Sequence, residues 1–130
     1  LNNLDQEHFI MGAMDDAFLS PQSRMAGMSD SDLLKARDQG KINLLAHGSQ
    51  SGYSIFETTD HKVLMHQGHP EYSSERLAYE VLRDADNNSV APIENFDPAH
   101  PVNRWRMHRN MFFHQWLRYC YTQISLGSAD

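Results

Sequence analysis

Lys62-Val63-Leu64-Met65-His66-Gln67-Gly68-His69-Pro70-Glu71-Tyr72 is a short apolar run that empties into a Gly-His-Pro-Glu sequence. The first five residues have the length and composition of a β-strand. Pro70 fixes its own φ and pushes His69 out of the α region into an extended conformation. In an extended chain residues i and i+2 point to the same side, with Cα atoms roughly 6.6 Å apart. A Glu side chain spans that gap. The spacing therefore predicts a hydrogen bond from the His69 imidazole to Glu71, which holds one tautomer and leaves the other ring nitrogen free to take a proton. That is the base and orienter of a triad. On the residues alone, a strand-end His and Glu that simply meet solvent remain the alternative.

The chain before this point reads as mixed α and β. Ala17-Phe18-Leu19-Ser20 is a short strand candidate ending at Pro21. Ser29-Asp30-Ser31-Asp32 has the form of a capping box and opens a helix through Leu33, Leu34 and Ala36, stopped by Gly40. Ile42 to Ala46, Tyr53 to Thr58 and Lys62 to His66 are three strand candidates. They are joined by the Gly48 to Gly52 loop and by a tight Thr59-Asp60-His61 turn, so they predict an antiparallel meander.

Two helices are expected after the His-Pro-Glu segment. Leu77, Ala78, Val81, Leu82 and Ala85 form an amphipathic stripe, capped by Ser73 or Ser74 and ended by Asp86-Asn87-Asn88. A linker with Pro92, Pro98 and Pro101 leads to a longer helix from about Arg104 to Ile124. Its apolar residues, Trp105, Met111, Phe112, Trp116, Tyr119, Cys120 and Ile124, read as core rather than as a cofactor box. Cys120 among them is expected to be a buried, inert thiol.

Composition excludes several classes. The 130 residues are 40% hydrophobic, enough for the core of one small domain. A net charge of −6 leaves no basic footprint for nucleic acid or an anionic membrane. No apolar stretch approaches a membrane span. A single cysteine fits a reducing cytoplasm, which is the expected location. His61, His66 and His69 lie close in sequence, but their spacing matches no helical ligand pair and no Cys or Asp completes a set, so no metal is expected.

A base and an orienter require a nucleophile, and no Gly-x-Ser-x-Gly or Gly-x-Cys-x-Gly elbow is present. Three meander strands, one short strand and two long helices also leave a helix face and a sheet face without partners. The chain opens on Leu1 rather than Met. Together these lead to the expectation that an N-terminal, nucleophile-bearing portion is missing.

Gln67-Gly68-His69-Pro70-Glu71 resembles the His-Pro-Glu segment that ends the catalytic domain of class I glutamine amidotransferases. The likeness widens in one branch of that superfamily, the homoserine O-acyltransferases of transsuccinylase type. Met14-Asp15-Asp16-Ala17-Phe18-Leu19-Ser20-Pro21-Gln22-Ser23-Arg24 is similar to that family's Phe-Asp-Asp-x-Phe-x-Ala-Pro-His-Ser-Arg segment. Gly68 to Tyr72, Leu77 and the Arg83-Asp84 pair follow its next block. Pro92 to Phe96, Trp105 to His108, and Asn110 to Trp116 with Tyr119, Tyr121 and Gln123 resemble its C-terminal block. The resemblance covers nearly the whole chain, in order.

It implies the C-terminal half of a flavodoxin-like α/β three-layer sandwich, with an antiparallel meander and two C-terminal helices. It implies an enzyme in which a cysteine of the absent half takes an acyl group from acyl-CoA as a thioester. A histidine then deprotonates the hydroxyl of homoserine, which attacks that thioester in methionine biosynthesis. His69 matches that base and Glu71 its orienting carboxylate. Ser23 matches a serine affecting substrate choice, and Arg83 an arginine that binds the amino acid. Acyl-CoA enters as a co-substrate, with no further cofactor, and a homodimer is compatible with the family. Gln22 stands where the family has His and Met25 where it has an aromatic residue. The loop after Asn95 is shortened, and extra residues sit between Ser23 and His69. These departures flank the substrate pocket and leave L-serine as an alternative acceptor. A class I glutamine amidotransferase domain would share His69 and Glu71 but typically ends soon after them. A non-catalytic fragment is the third reading, and residues 1–130 alone are expected to be inactive.

Overall fold

A computed structural model describes residues 1–87 and 94–127. Four strands form one antiparallel sheet in the order β1 (Asn2–Asn3), β2 (Ile42–Gly48), β3 (Gly52–Thr58) and β4 (Leu64–His66). The expected meander is therefore present, with Leu44 opposite Phe56 and Phe56 opposite Met65. The β2–β3 register slips between Leu44 and Ala46. That irregularity lets Leu45 and Ala46 both be fully buried, where strict alternation would expose one of them.

Each sheet face carries its own core. On one side Ile42 and Phe56 pack with Leu33 of helix α1 (Asp30–Asp38). On the other, Leu45, Ala46 and Ile55 pack with Ile10, Met11, Met14 and Phe18, and with Phe112 of helix α3 (Arg106–Gly127). Helix α2 (Ser74–Arg83) follows the His-Pro-Glu segment. The fold is thus α/β, with helical layers on both faces of an antiparallel sheet.

Both helix starts obey the capping chemistry in the sequence. The Ser29 hydroxyl accepts from the Asp32 N–H, and the Ser73 hydroxyl from the Arg76 N–H. At the end of α1, the Gly40 N–H donates to the Arg37 carbonyl and the Lys41 N–H to the Ala36 carbonyl. This closes the helix with Gly40 at φ 68°, where a side chain would be strained.

Four expectations need correction. Residues 17–20 form no strand: Ala17 makes one isolated bridge to Asn2, because β1 offers only two residues to pair with. Helix α2 ends at Arg83, before Asp86-Asn87, and Asn88 lies outside the described residues, as do Pro92 and Ile93. Leu82 and Ala85 are exposed, whereas Ser74, Leu77, Ala78 and the charged Glu80 are buried. In α3 and the residue before it, only Trp105 and Phe112 of the aromatic stripe are fully buried. Met111, Trp116 and Ile124 are exposed and Cys120 is partly exposed, because the short sheet supports only the N-terminal half of a 22-residue helix.

The fully buried Leu45 and the cap Ser73 separate two kinds of contribution. Leu45→Ala should cost about 2–5 kcal/mol through lost burial and a cavity, and Ser73→Ala about 1 kcal/mol through an orphaned helix donor. Urea denaturation of each variant checks this; equal losses would contradict the core assignment.

Candidate active site

The end of β4 and the loop at Pro21 press together. The His69 N–H donates to the Pro21 carbonyl at 2.9 Å. A Cβ at Gly68 would lie 2.7 Å from that same carbonyl oxygen and would strike the Gln22 amide. Only glycine lets the two backbones approach this closely.

The Tyr72 N–H donates to the His69 carbonyl at 3.1 Å, so residues 69–72 form a turn rather than the extended conformation anticipated from Pro70. The turn still brings His69 Nδ1 to 2.8 Å from Glu71 Oε1. A carboxylate only accepts, so Nδ1 carries the proton and Nε2 presents a lone pair. The imidazole is one-third exposed and the Glu71 side chain about half exposed, at 34% and 54%. The arrangement is chemically able to take a proton from a group approaching Nε2.

Beside it lies a second group that sequence reading did not assemble. Glu80, on α2 and only 6% exposed, accepts from the Ser23 hydroxyl at 2.5 Å, the Tyr72 hydroxyl at 3.1 Å and the Arg76 guanidinium at 2.7 Å. Arg83 Nη1 stands 3.9 Å away. Burial pushes the Glu80 carboxyl up, but the two hydroxyls and the two arginines outweigh it and hold the pKa below the ordinary glutamate value. Ser23 and Arg83, expected to flank the acceptor, thus meet at one carboxylate. Tyr72 joins them to the base: its ring stacks on His69 with centroids 4.3 Å apart and planes 17° apart. The signal for Glu80 was available, since it lies one turn from Leu77 on the buried face.

Arg83 is placed differently from a free clamp. Its Nε and Nη2 donate to both oxygens of Asp84 at 2.7 and 2.6 Å. This pairing holds Asp84 below the usual carboxylate range, and leaves the second N–H of Nη2 and both of Nη1, the latter 3.9 Å from Glu80, outside it.

The three neighbouring histidines go separate ways. His66 is half-buried behind the turn: its Nδ1 accepts from the Gly68 N–H at 3.0 Å, and its Nε2 lies 3.4 Å from Ser20 Oγ. His61 Nδ1 contacts Glu57 Oε1 at 2.6 Å. With buried His8 these residues bring three ligand-type atoms within 4.8 Å of one another. The donor chemistry does not suit a metal, however. His8 Nδ1 accepts from the N–H groups of Ile10 and Met11, which puts the proton on Nε2, the atom that would have to ligate. That Nε2 lies 3.2 Å from Glu57 Oε2, close but poorly aligned for a hydrogen bond.

A sequence profile described as homoserine O-succinyltransferase matches residues 1–126. The chain belongs to that family. It is 35% identical over 134 residues to a homoserine O-succinyltransferase of Aliivibrio fischeri (strain MJ11), covering 93% of this chain and 40% of the relative. It is 34% identical to one from Aliivibrio salmonicida (strain LFI1238), covering 98% and 42%. The Tolumonas auensis enzyme of the same name is 32% identical, covering 99% and 42%. The chain therefore spans about 40% of the length of the curated relatives it matches. Among the described residues, no helix is long and apolar enough to cross a membrane.

Burial makes His66 a pH-dependent liability. Its pKa is pushed down to about 4 from 6.5, by burial first, against the opposing charge of Glu71. The unfolded chain takes up a proton near pH 6.5 that the folded chain refuses until about pH 4. Stability is therefore intact above the upper value and falls towards the lower one, by on the order of 3 kcal/mol. His66→Val should flatten this fall in urea unfolding followed against pH. Parallel pH curves for the two proteins would contradict a half-buried imidazole held neutral by desolvation.

Proposed function

We propose that this chain is the C-terminal portion of an amino-acid O-acyltransferase. In this reading the enzyme moves an acyl group from acyl-CoA, by way of an acyl-cysteine outside these residues, to the hydroxyl of homoserine. The observation that carries it is the imidazole of His69, held through Nδ1 by Glu71 and presenting a free Nε2, within a chain that matches the family over nearly its whole length.

The proposed step balances simply. His69 Nε2 takes the hydroxyl proton as the acceptor oxygen bonds to the thioester carbon. The carbon–sulfur bond then breaks and the electron pair leaves on the cysteine sulfur. Glu71 stabilises the imidazolium and fixes its orientation without taking the proton itself. Ser23 and Arg83, gathered at Glu80, would face the amino-acid end of the acceptor, with Arg83 Nη1 directed at its α-carboxylate. The acyl group is succinyl in the names of the relatives. Their greater length supports a remainder outside these residues, to which this reading assigns the nucleophile and the completion of a flavodoxin-like sandwich, with the cytoplasm as the expected location. The exposed Trp116, Leu117, Tyr121 and Ile124 of α3 are the kind of surface such a remainder would cover.

The test is acyl transfer by the protein at full family length, with homoserine and serine compared as acceptors. Transfer to homoserine is expected, and none from residues 1–130 alone. Because Asp84 occupies two of the Arg83 donors, Arg83→Ala should raise the homoserine KM by roughly tenfold rather than abolish turnover. Loading of the cysteine should be unaffected. No transfer to any amino-acid hydroxyl by the longer protein would overturn the reading.

A further inference from the structure

We infer that Tyr72 is a positioning residue: one side chain that aims the base His69 and ties it to the Ser23–Glu80 pair, so that proton removal and acceptor placement are set together. This rests on the acyltransferase reading and adds to it a role for a residue that the sequence reading left without one.

The need for such a residue follows from the geometry of the dyad. A single hydrogen bond from Nδ1 to a half-exposed Glu71 fixes one point of the imidazole but leaves the ring free to turn about that contact. Nε2 would then sweep an arc, and a base displaced by about an ångström loses much of its advantage. The Tyr72 ring, stacked at 4.3 Å and 17°, removes that rotation. Together, hydrogen bond and stack define both the position and the plane of the imidazole.

Tyr72 is itself held at every end. Its carbonyl accepts from the Trp105 indole N–H at 2.9 Å, and its N–H closes the turn onto the His69 carbonyl. Its hydroxyl donates to Glu80 at 3.1 Å, and the Arg76 guanidinium lies over the ring, 5.4 Å from its centroid. With few rotatable bonds and its hydroxyl, carbonyl and N–H all anchored, the ring forms a rigid link between two parts of the site. Removing only the hydroxyl frees one acceptor position on Glu80, the carboxylate whose other oxygen holds Ser23. Removing the ring also releases the base. The two functions of Tyr72 are therefore separable by substitution.

The experiment uses the protein at full family length with Tyr72→Phe and Tyr72→Leu. Tyr72→Phe should keep kcat within about twofold and raise the acceptor KM by roughly five- to tenfold, the loss of one hydrogen bond. Tyr72→Leu should add a fall in kcat of roughly ten- to a hundredfold. In a Ser23→Ala background the Phe substitution should have little further effect on KM, because both act through Glu80. A readout without substrate follows carbethoxylation of His69 by peptide mass. It should proceed faster in the Leu variant, where the ring no longer shields the imidazole, and at the wild-type rate in the Phe variant.

Unchanged kinetics alongside a lowered melting temperature would reduce Tyr72 to a structural role and overturn the inference. So would equal modification rates in wild type and the Leu variant. If the Leu variant does not fold, the Phe variant decides: a raised KM at constant kcat, lost in the Ser23→Ala background, supports the inference, and additive effects overturn it. If the wild-type protein transfers no acyl group, the acyltransferase reading has failed, while the modification contrast still decides whether the ring seats His69.

Discussion

The contact between two backbones, Gly68 against Pro21, is the constraint on which the site depends. It leaves no room for a Cβ and is closed by the His69 N–H to the Pro21 carbonyl. Through it the segment carrying Ser23, far upstream in sequence, is fixed beside the turn carrying His69 and Glu71. The sheet makes this possible, because β4 delivers the turn while the 10–18 segment packs beneath the same sheet face. Any side chain at position 68 would push these two halves apart before it touched the chemistry.

A second constraint is electrostatic. Glu80 is a carboxylate taken out of water, an arrangement tolerable only with several donors and compensating charge. Ser23, Tyr72 and Arg76 supply the donors, and Arg83 adds charge nearby. The same requirement that keeps Glu80 ionised thus draws together residues from the Pro21 loop, the turn and α2. A polar group that must be satisfied organises the site more strictly than apolar packing would, since each donor has to arrive in a defined direction.

Much of this was legible from local chemistry. The Ser29 and Ser73 caps, the Gly40 stop and the meander all follow from short-range rules, and the structure contains each of them. The two-residue separation of His69 and Glu71 also foretold their contact, although a turn rather than an extended conformation produces it. What failed depended on distant partners. The strand expected at residues 17–20 lacked a neighbour long enough to pair with. The apolar stripe of α3 suggested core, but burial is decided by what lies opposite, and Trp116 and Ile124 of that stripe are 39% and 68% exposed. Arg83 and Ser23 were named individually, yet their meeting point at Glu80 requires the fold. Glu57 with His8 and His61 was likewise invisible, since it joins a buried strand position to residues on two different loops.

The central claim is that His69 removes the acceptor proton when the acyl group leaves the cysteine. Intact-protein mass spectrometry of the full-length enzyme, incubated with acyl-CoA and then with homoserine, tests it most directly. The account predicts that His69→Ala still acquires some acyl mass but retains it when homoserine is added, whereas the wild type discharges within a turnover. Discharge of the acyl group by His69→Ala at the wild-type rate would contradict it.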